Sequence, residues 1–355
     1  GELSVVVANI LGGEPADYYR KMLRPSHYAV LAKQISQQQR EDYELYVKSL
    51  PSETAEQRSL KGQYANLVNF ELDYKRRYPL NSTAAQVIGF VGSDPAKGLA
   101  GIELYYDALL TGTPGSSTSE RDVLGNLIPS GIQHEIPAVA GQSIMLTIDS
   151  HIQAMAEQEL RSAVKRYNAK AGAVVVMDPR NGELYAAASY PTFNLNEFSK
   201  ANDEQFRGRA LVDLYEPGST MKCITAAGVL ESGKVTPRTT FVVPDSLQVG
   251  SRRVSDSHPH PTEKMTFTEI IGDSSNVGTT KAAYKLGDHG LYNTFKKFGF
   301  FEKPGLDFPG TTYGRALKPS EWSDVSLSNY SFGQGISVTP VMLTRAVGAI
   351  ANKGV

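Results

Sequence analysis

The chain has a single cysteine, Cys223, among its 355 residues. No internal disulfide can form, and cysteine usage leaves the redox compartment unread. The histidines and the cysteine also lack the spacing of a zinc site. No run of ~18 apolar residues occurs, so nothing in this stretch spans a bilayer as a helix, and no secretory signal pattern opens it. An excess of charge is missing too: 36 basic and 37 acidic side chains leave a formal net charge of −1. Without positive excess to neutralise phosphates, nucleic acid is not an expected partner. What is present is ordinary globular composition, with 41% hydrophobic and 21% charged residues. That is enough for a core, and the length suffices for two domains.

The first part of the chain carries no catalytic signal. Residues 28–50 place apolar side chains at helical spacing among many polar ones, which predicts a surface helix. The basic cluster Lys75, Arg76 and Arg77 reads as a solvated face. Between Gly92 and Gly141, turn-forming residues abound, and "TGTPGSSTSE" (111–120) reads as loop or hairpin. This half is expected to be an extended α+β module.

The texture changes near Ala138. "AGQSIMLTID" (140–149) is a strand candidate, followed by an amphipathic helix with Ser150 as its N-cap. Two β-rich runs then flank Asp178-Pro-Arg-Asn-Gly182, a hairpin signal. Helix, antiparallel strands and further helices predict an α+β domain with a sheet between helices. We place the domain boundary near 136, giving domains 1–136 and 137–355.

Chemistry concentrates at "YEPGSTMK" (215–222). Pro217 and Gly218 break the incoming chain. Apolar Met221, Ile224, Ala227, Val229 and Leu230 then predict a buried helix, with Gly233 as its stop and Pro237 beyond. Ser219 falls in the first turn, and Lys222, three residues on, shares its face. A serine hydroxyl needs a base within reach to act as a nucleophile, and burial can lower a lysine pKa enough to supply one. The helix start adds N–H groups where an oxyanion would form. Ser-x-x-Lys alone is common, however, and a serine at a helix start is more often a cap. A companion lies downstream in "GDSSNVGTTKAAYKLG" (272–287): Ser274 and Asn276, two apart in a loop, can both point into one cleft.

Ser-x-x-Lys followed by Ser-x-Asn belongs to the motif set of penicillin-binding proteins and class A β-lactamases. The chain resembles the class B penicillin-binding proteins, the monofunctional transpeptidases of bacterial wall synthesis. "YEPGSTMK" resembles their nucleophile segment and "SSNVG" their second motif. "FGFFEKPGLDFPG" (298–310) and "SFGQGISVTPVML" (331–343) resemble stretches leading toward the third. Upstream, "GFVGSDPAKGLAGIELYYDALLTGTPG" (89–115) resembles the pedestal, and "LTIDSHIQAMAEQEL" (146–160) the opening of the transpeptidase domain. The likeness covers roughly residues 70 to 355. Two departures stand out. Lys-Thr-Gly is missing, and the "KPG" at Lys303–Gly305 cannot replace it because Pro304 has no N–H to offer a peptide. The run that usually opens the extracytoplasmic part and its membrane anchor are missing as well. Both fit a trimmed chain, with the third motif expected beyond Val355.

The resemblance implies a penicillin-binding/β-lactamase-like transpeptidase domain behind an N-terminal pedestal. It implies D,D-transpeptidation of peptidoglycan stem peptides ending in D-Ala-D-Ala through an acyl-serine, in division or elongation. Ser219 would be the nucleophile, Lys222 the base, Ser274 a proton relay and Asn276 the holder of the substrate amide. No metal or organic cofactor is called for. The implied partners are the donor and acceptor stem peptides, β-lactams, and a membrane-embedded peptidoglycan glycosyltransferase. The implied place is the cell membrane, with the catalytic domain on its outer face. An impaired penicillin-binding scaffold, a D,D-carboxypeptidase, a β-lactamase and a β-lactam sensor stay open as alternatives, the last two disfavoured by the pedestal.

Five further residues are assigned bland roles. Cys223 is expected in the core, His258 and His260 in a loop without a metal, Trp322 in packing or at the cleft rim, and Glu216 as a complement to the helix start.

Overall fold

The computed structural model describes residues 1–26, 28–71, 75–92, 97–120, 128 and 130–354, in two compact units, Gly1–Arg77 and Tyr78–Val355. The first unit is helical: Glu2–Leu11, Pro15–Met22, Gln37–Ser49 and Ala55–Leu67. The helix expected within 28–50 starts at Gln37, because Ser36 and Gln39 form a capping box that fixes its N-terminus. Thr54 and Gln57 repeat the device on the next helix. A small aromatic core joins these two helices: the buried Tyr43 donates to the Tyr64 carbonyl at 2.9 Å and meets Phe70 edge-on. Lys75, Arg76 and Arg77 are exposed, as expected.

In the second unit, the stretch read as loop or hairpin gives the strand Ser116–Ser119, paired antiparallel with Gln133–Ile136. The hairpin at 178–182 forms as the sequence predicts, joining strands Gly172–Met177 and Leu184–Tyr190. A bulge leaves Tyr185 as the extra residue, because Val176 opposes Ala186 while Met177 opposes Leu184. Tyr185 thereby reaches Asp178 at 2.9 Å, and Arg180 grips the same carboxylate. Arg180 above all holds Asp178 far below the usual carboxylate range. Alternation along the strands sends Val174, Val176, Ala186 and Ala188 to the helix Ser150–Tyr167. Ala173, Val175, Met177 and Ala187 pack on the other face with Ala210, Leu211 and Val341. The pair thus lies between helices, the arrangement the pattern called for.

Two expectations fail here. Residues 141–148 form no strand, and Met145 is exposed. The segment's ties to the sheet are two isolated bonds, Thr147 Oγ1 to the Leu184 carbonyl and Asp149 N–H to that of Tyr185. An apolar run without a continuous ladder does not make a strand. The helix N-cap is Asp149 and not Ser150, because the carboxylate accepts from the His151 and Ile152 N–H groups, both at 2.9 Å.

The rest is mainly helical and surrounds Lys222–Glu231. Met221 and Ile224 pack with Leu291, Phe295, Phe300, Ile336 and Met342 in one cluster, and Val229 with Val277, Ile270 and Phe267 in a second. Gly233 ends the helix at φ 69°, the left-handed conformation expected of a stop. Leu230, expected inside, lies on the exposed side. Cys223 is exposed too, a correction: apolar neighbours take 221, 224 and 228–229, and position 223 falls on the opposite face. Trp322 packs on Tyr330 and donates to the Leu317 carbonyl, the packing role assigned to it. We predict that Phe295→Ala, at a fully buried position, lowers stability by about 3–5 kcal/mol in chemical denaturation. A loss below about 1 kcal/mol would contradict this packing.

Candidate active site

Gly218–Met221 is a single 3-10 turn, and the α-helix Lys222–Glu231 follows directly. Ser219 is exposed on that turn, whereas Lys222 is buried at 2% exposure. The turn is fastened from the far end of the chain. Tyr215 and Val338 exchange two backbone hydrogen bonds at 3.0 Å, and Gly218 N–H donates to the Gly333 carbonyl at 3.1 Å. Position 333 must be glycine: its φ is 82°, and a Cβ would lie 2.2 Å from the Gly218 carbonyl oxygen. The Glu216 carboxylate accepts from the Gly335 N–H at 3.0 Å. Glu216 therefore ties down the 333–335 loop instead of complementing the helix start, because that loop's N–H lies within its reach.

Ser274 sits where the helix Phe267–Gly272 ends. Its N–H donates to the Ile271 carbonyl and that of Ser275 to the Ile270 carbonyl, the two bonds of a Schellman cap. The left-handed position of such a cap usually holds glycine. Here it holds Ser274 at φ 56°, a strain of about 1 kcal/mol. The strained turn delivers both oxygens of Ser274 to one cation. The Lys222 ammonium donates to the Ser274 Oγ at 3.0 Å and also to its carbonyl oxygen.

Burial pushes the Lys222 amine down to about 8, against a smaller opposing pull from the charge of Asp256. An amine at that value is partly neutral near physiological pH and can accept a proton. Among the described residues, its hydrogen bonds go to Ser274 and none to the Ser219 hydroxyl. Asn276 opens the helix Asn276–Leu286, and its Nδ2 donates to the Ser255 carbonyl at 2.9 Å. The structure thus joins Lys222 and Ser274 directly, with Ser219 one turn before Lys222 and Asn276 two residues beyond Ser274.

Ser275, between the motif residues, is buried and structural: it caps its helix by accepting from Gly278 N–H at 2.8 Å and donates to Asp256 at 2.7 Å. Asp256 is the residue that sequence reasoning missed. It lies in "SDSHPHP", read only for its histidines. A short loop residue with no motif around it gave no signal until the fold set it under Ser275. Among the described residues no group of three or more His, Cys, Asp or Glu side chains could hold a metal ion. A cavity of about 800 Å³ lies between Met177, Arg180, Phe298 and Arg345 and includes none of the four expected site residues. The site lies at the surface, where Ser219 is exposed.

Comparison with known proteins places the chain in a family. The family of the penicillin binding protein transpeptidase domain matches residues 172–355, and that of the penicillin-binding protein dimerisation domain residues 2–146. The penicillin-binding protein PbpB of Mycobacterium tuberculosis is 35% identical over 281 residues, covering 79% of this chain and 41% of that protein. The probable peptidoglycan D,D-transpeptidase PenA of Neisseria gonorrhoeae is 35% identical over 288 residues, covering 81% of this chain and 49% of that protein. The chain therefore spans less than half the length of these two relatives. Among solved structures, penicillin binding protein 3 of Mycobacterium tuberculosis complexed with aztreonam superposes with a TM-score of 0.70 at 33% identity, covering 79% of this chain and 59% of that one. The chain belongs to the penicillin-binding protein transpeptidase family, among its class B members.

Proposed function

We propose that this chain is the pedestal and the motif-bearing part of a peptidoglycan D,D-transpeptidase, with Ser219 as nucleophile. The observation that carries the reading is the buried Lys222 amine. It sits one turn after an exposed serine and is hydrogen-bonded to a second serine held in a strained turn. A lysine with no chemical task would not be buried against one hydroxyl and one carbonyl, where its charge is costly.

In this reading Ser219 rotates so that its Oγ–H meets the neutral Lys222 amine. The Oγ attacks the carbonyl of the penultimate D-Ala and its proton passes to Lys222. The N–H of Ser219, in the first turn where intrahelical acceptors are lacking, steadies the oxyanion. Collapse of the tetrahedral species breaks the peptide bond. The departing D-Ala nitrogen takes the Ser274 hydroxyl proton while Lys222 returns one to Ser274, along the 3.0 Å bond already present. An acyl-serine remains, and the amine of a neighbouring stem peptide attacks it to leave a cross-link. Asn276 borders the cleft where the substrate amide lies. A β-lactam enters the same path, with its ring nitrogen as the tethered leaving group.

We place the start of the transpeptidase part near residue 137; the dimerisation-domain match runs on to 146 and the transpeptidase match begins at 172. The class B relationship supports a place at the outer face of the cell membrane beside a membrane-embedded glycosyltransferase. No described helix is long and apolar enough to cross a membrane.

Three outcomes test this reading. Ser219→Ala abolishes covalent penicillin labelling, read by intact-protein mass, while thermal unfolding is unchanged; labelling of a folded variant would sink it. The rate of penicillin acylation rises with pH through a limb near the Lys222 value of about 8. The sign follows from the base being the deprotonated amine, and a flat profile from pH 7 to 9 would mean the proton goes elsewhere. Ser274→Gly relieves the left-handed strain and gains about 0.5–1 kcal/mol of stability, yet slows acylation. Equal stability and equal rate would remove both the strain and the relay.

A further inference from the structure

Asp256 holds the second motif from outside it. Its Oδ1 accepts from the backbone N–H groups of Asn276 at 2.5 Å and Val277 at 2.9 Å, and its Oδ2 from Ser275 Oγ at 2.7 Å. These are groups at the start of the helix Asn276–Leu286, where the N–H groups lack intrahelical acceptors and a carboxylate is favoured. Asp256 comes from a different segment, directly after the strand Arg252–Ser255, and its side chain is 8% exposed. The Ser255 carbonyl, one residue before it, holds the Asn276 side-chain amide. One short segment thus fixes the helix start, the middle residue of the motif and the Asn276 side chain together.

The fourth contact to this carboxylate is His260, with Nε2 at 3.1 Å from Oδ2. Its other nitrogen, Nδ1, lies 2.8 Å from the Pro261 carbonyl. A carbonyl only accepts, and so does an ionised carboxylate. Both ring nitrogens therefore face acceptors, and the doubly protonated imidazolium is the form that donates to both.

We propose that Asp256 is a positioning residue for the second motif and that protonated His260 is its counter-ion, so that the hold on Ser274 and Asn276 loosens as His260 loses its proton. The effect on acylation rests on the acyl-serine reading; the latch itself does not. Electrostatics agree. The Pro261 carbonyl, followed by the Asp256 carboxylate, raises the His260 pKa above the ordinary histidine value. Burial works against the charge of Asp256, but Ser275, Val277, His260 and Asn276 outweigh it and lower its pKa. The other charged groups involved are Lys222, whose amine the Asp256 charge raises, and Glu263, acting on His260. Because the folded histidine is favoured in its charged form, the contact is complete at pH values below the ordinary His range. It is lost as pH rises through the raised His260 value.

The test uses isotope-labelled full chain, observed by NMR from roughly pH 5 to 9, where histidine titrates. The wild type should show His260 titrating above about 6.5, with the backbone amides of Asn276, Val277 and Gly278 following the same curve. In His260→Gln the component of those curves that tracks His260 should vanish, leaving only the response to Lys222 near 8. In Asp256→Asn that component should vanish as well, with the His260 value lowered by loss of the carboxylate while the Pro261 bond remains. A second readout is penicillin acylation. Asp256→Asn should slow it by about 10-fold or more through misplacement of Ser274. It should also move the Lys222 limb to lower pH, since the charge that raises that amine is gone; a merely structural role would not move the limb. A wild-type His260 titrating at its ordinary value, or amides that follow it unchanged in Asp256→Asn, would overturn the proposal. A latch that titrates as described in a protein that never acylates would uphold it while refuting the acyl-serine reading. If Asp256→Asn does not fold, His260→Gln decides on the amide curves alone.

Discussion

The site depends on the burial of one amine. Lys222 occupies the first position of a helix whose neighbours Met221 and Ile224 are fully buried, and is itself 2% exposed. A buried ammonium must find acceptors or lose its proton. The fold offers it the two oxygens of Ser274 and a distant carboxylate, Asp256. That supply is enough to hold the amine and too little to keep it fully charged. The left-handed Ser274, the tight 3-10 turn at Ser219 and the clasp of Gly333 on Gly218 all serve to set groups around this one nitrogen. Strain at Ser274 is the local cost of aiming both its oxygens the same way.

Long-range contacts do the positioning. The Ser219 turn is held by residues 333–338 and the second motif by Asp256 and Ser255, while the Thr280 and Ser328 hydroxyls meet at 2.9 Å in the interior between two helices. None of these segments is adjacent in sequence to what it holds. The stretch "SFGQGISV" acts through its backbone: Gly333 and Val338 bond to Gly218 and Tyr215 on either side of the Ser219 turn.

Much of this was legible in the sequence, and the reason is local. Ser219, Lys222, Ser274 and Asn276 lie in short segments whose spacing follows from helix geometry and turn chemistry. The hairpin at 178–182 and the stop at Gly233 are likewise set by residues that act where they stand. What could not be read depended on partners distant along the chain. Residues 141–148 end in an apolar run fit for a strand, but only a neighbouring ladder could make them one. Glu216 looked like a helix-start charge until the 333–335 loop closed over it. Cys223 looked apolar by its neighbours, yet the buried arc of its helix passes it by. Asp256 had no motif to announce it, and its role exists only because a strand delivers it beneath Ser275.

The most direct measurement is the ionisation of Lys222 itself, followed by the chemical shift of its ε-carbon in selectively labelled protein as pH is raised. A midpoint near 8, well under the ordinary 10.5, is the result required if burial makes this amine the base. A midpoint at the ordinary value would mean that the ammonium stays charged where the proton must be accepted, and the account of the site would fail.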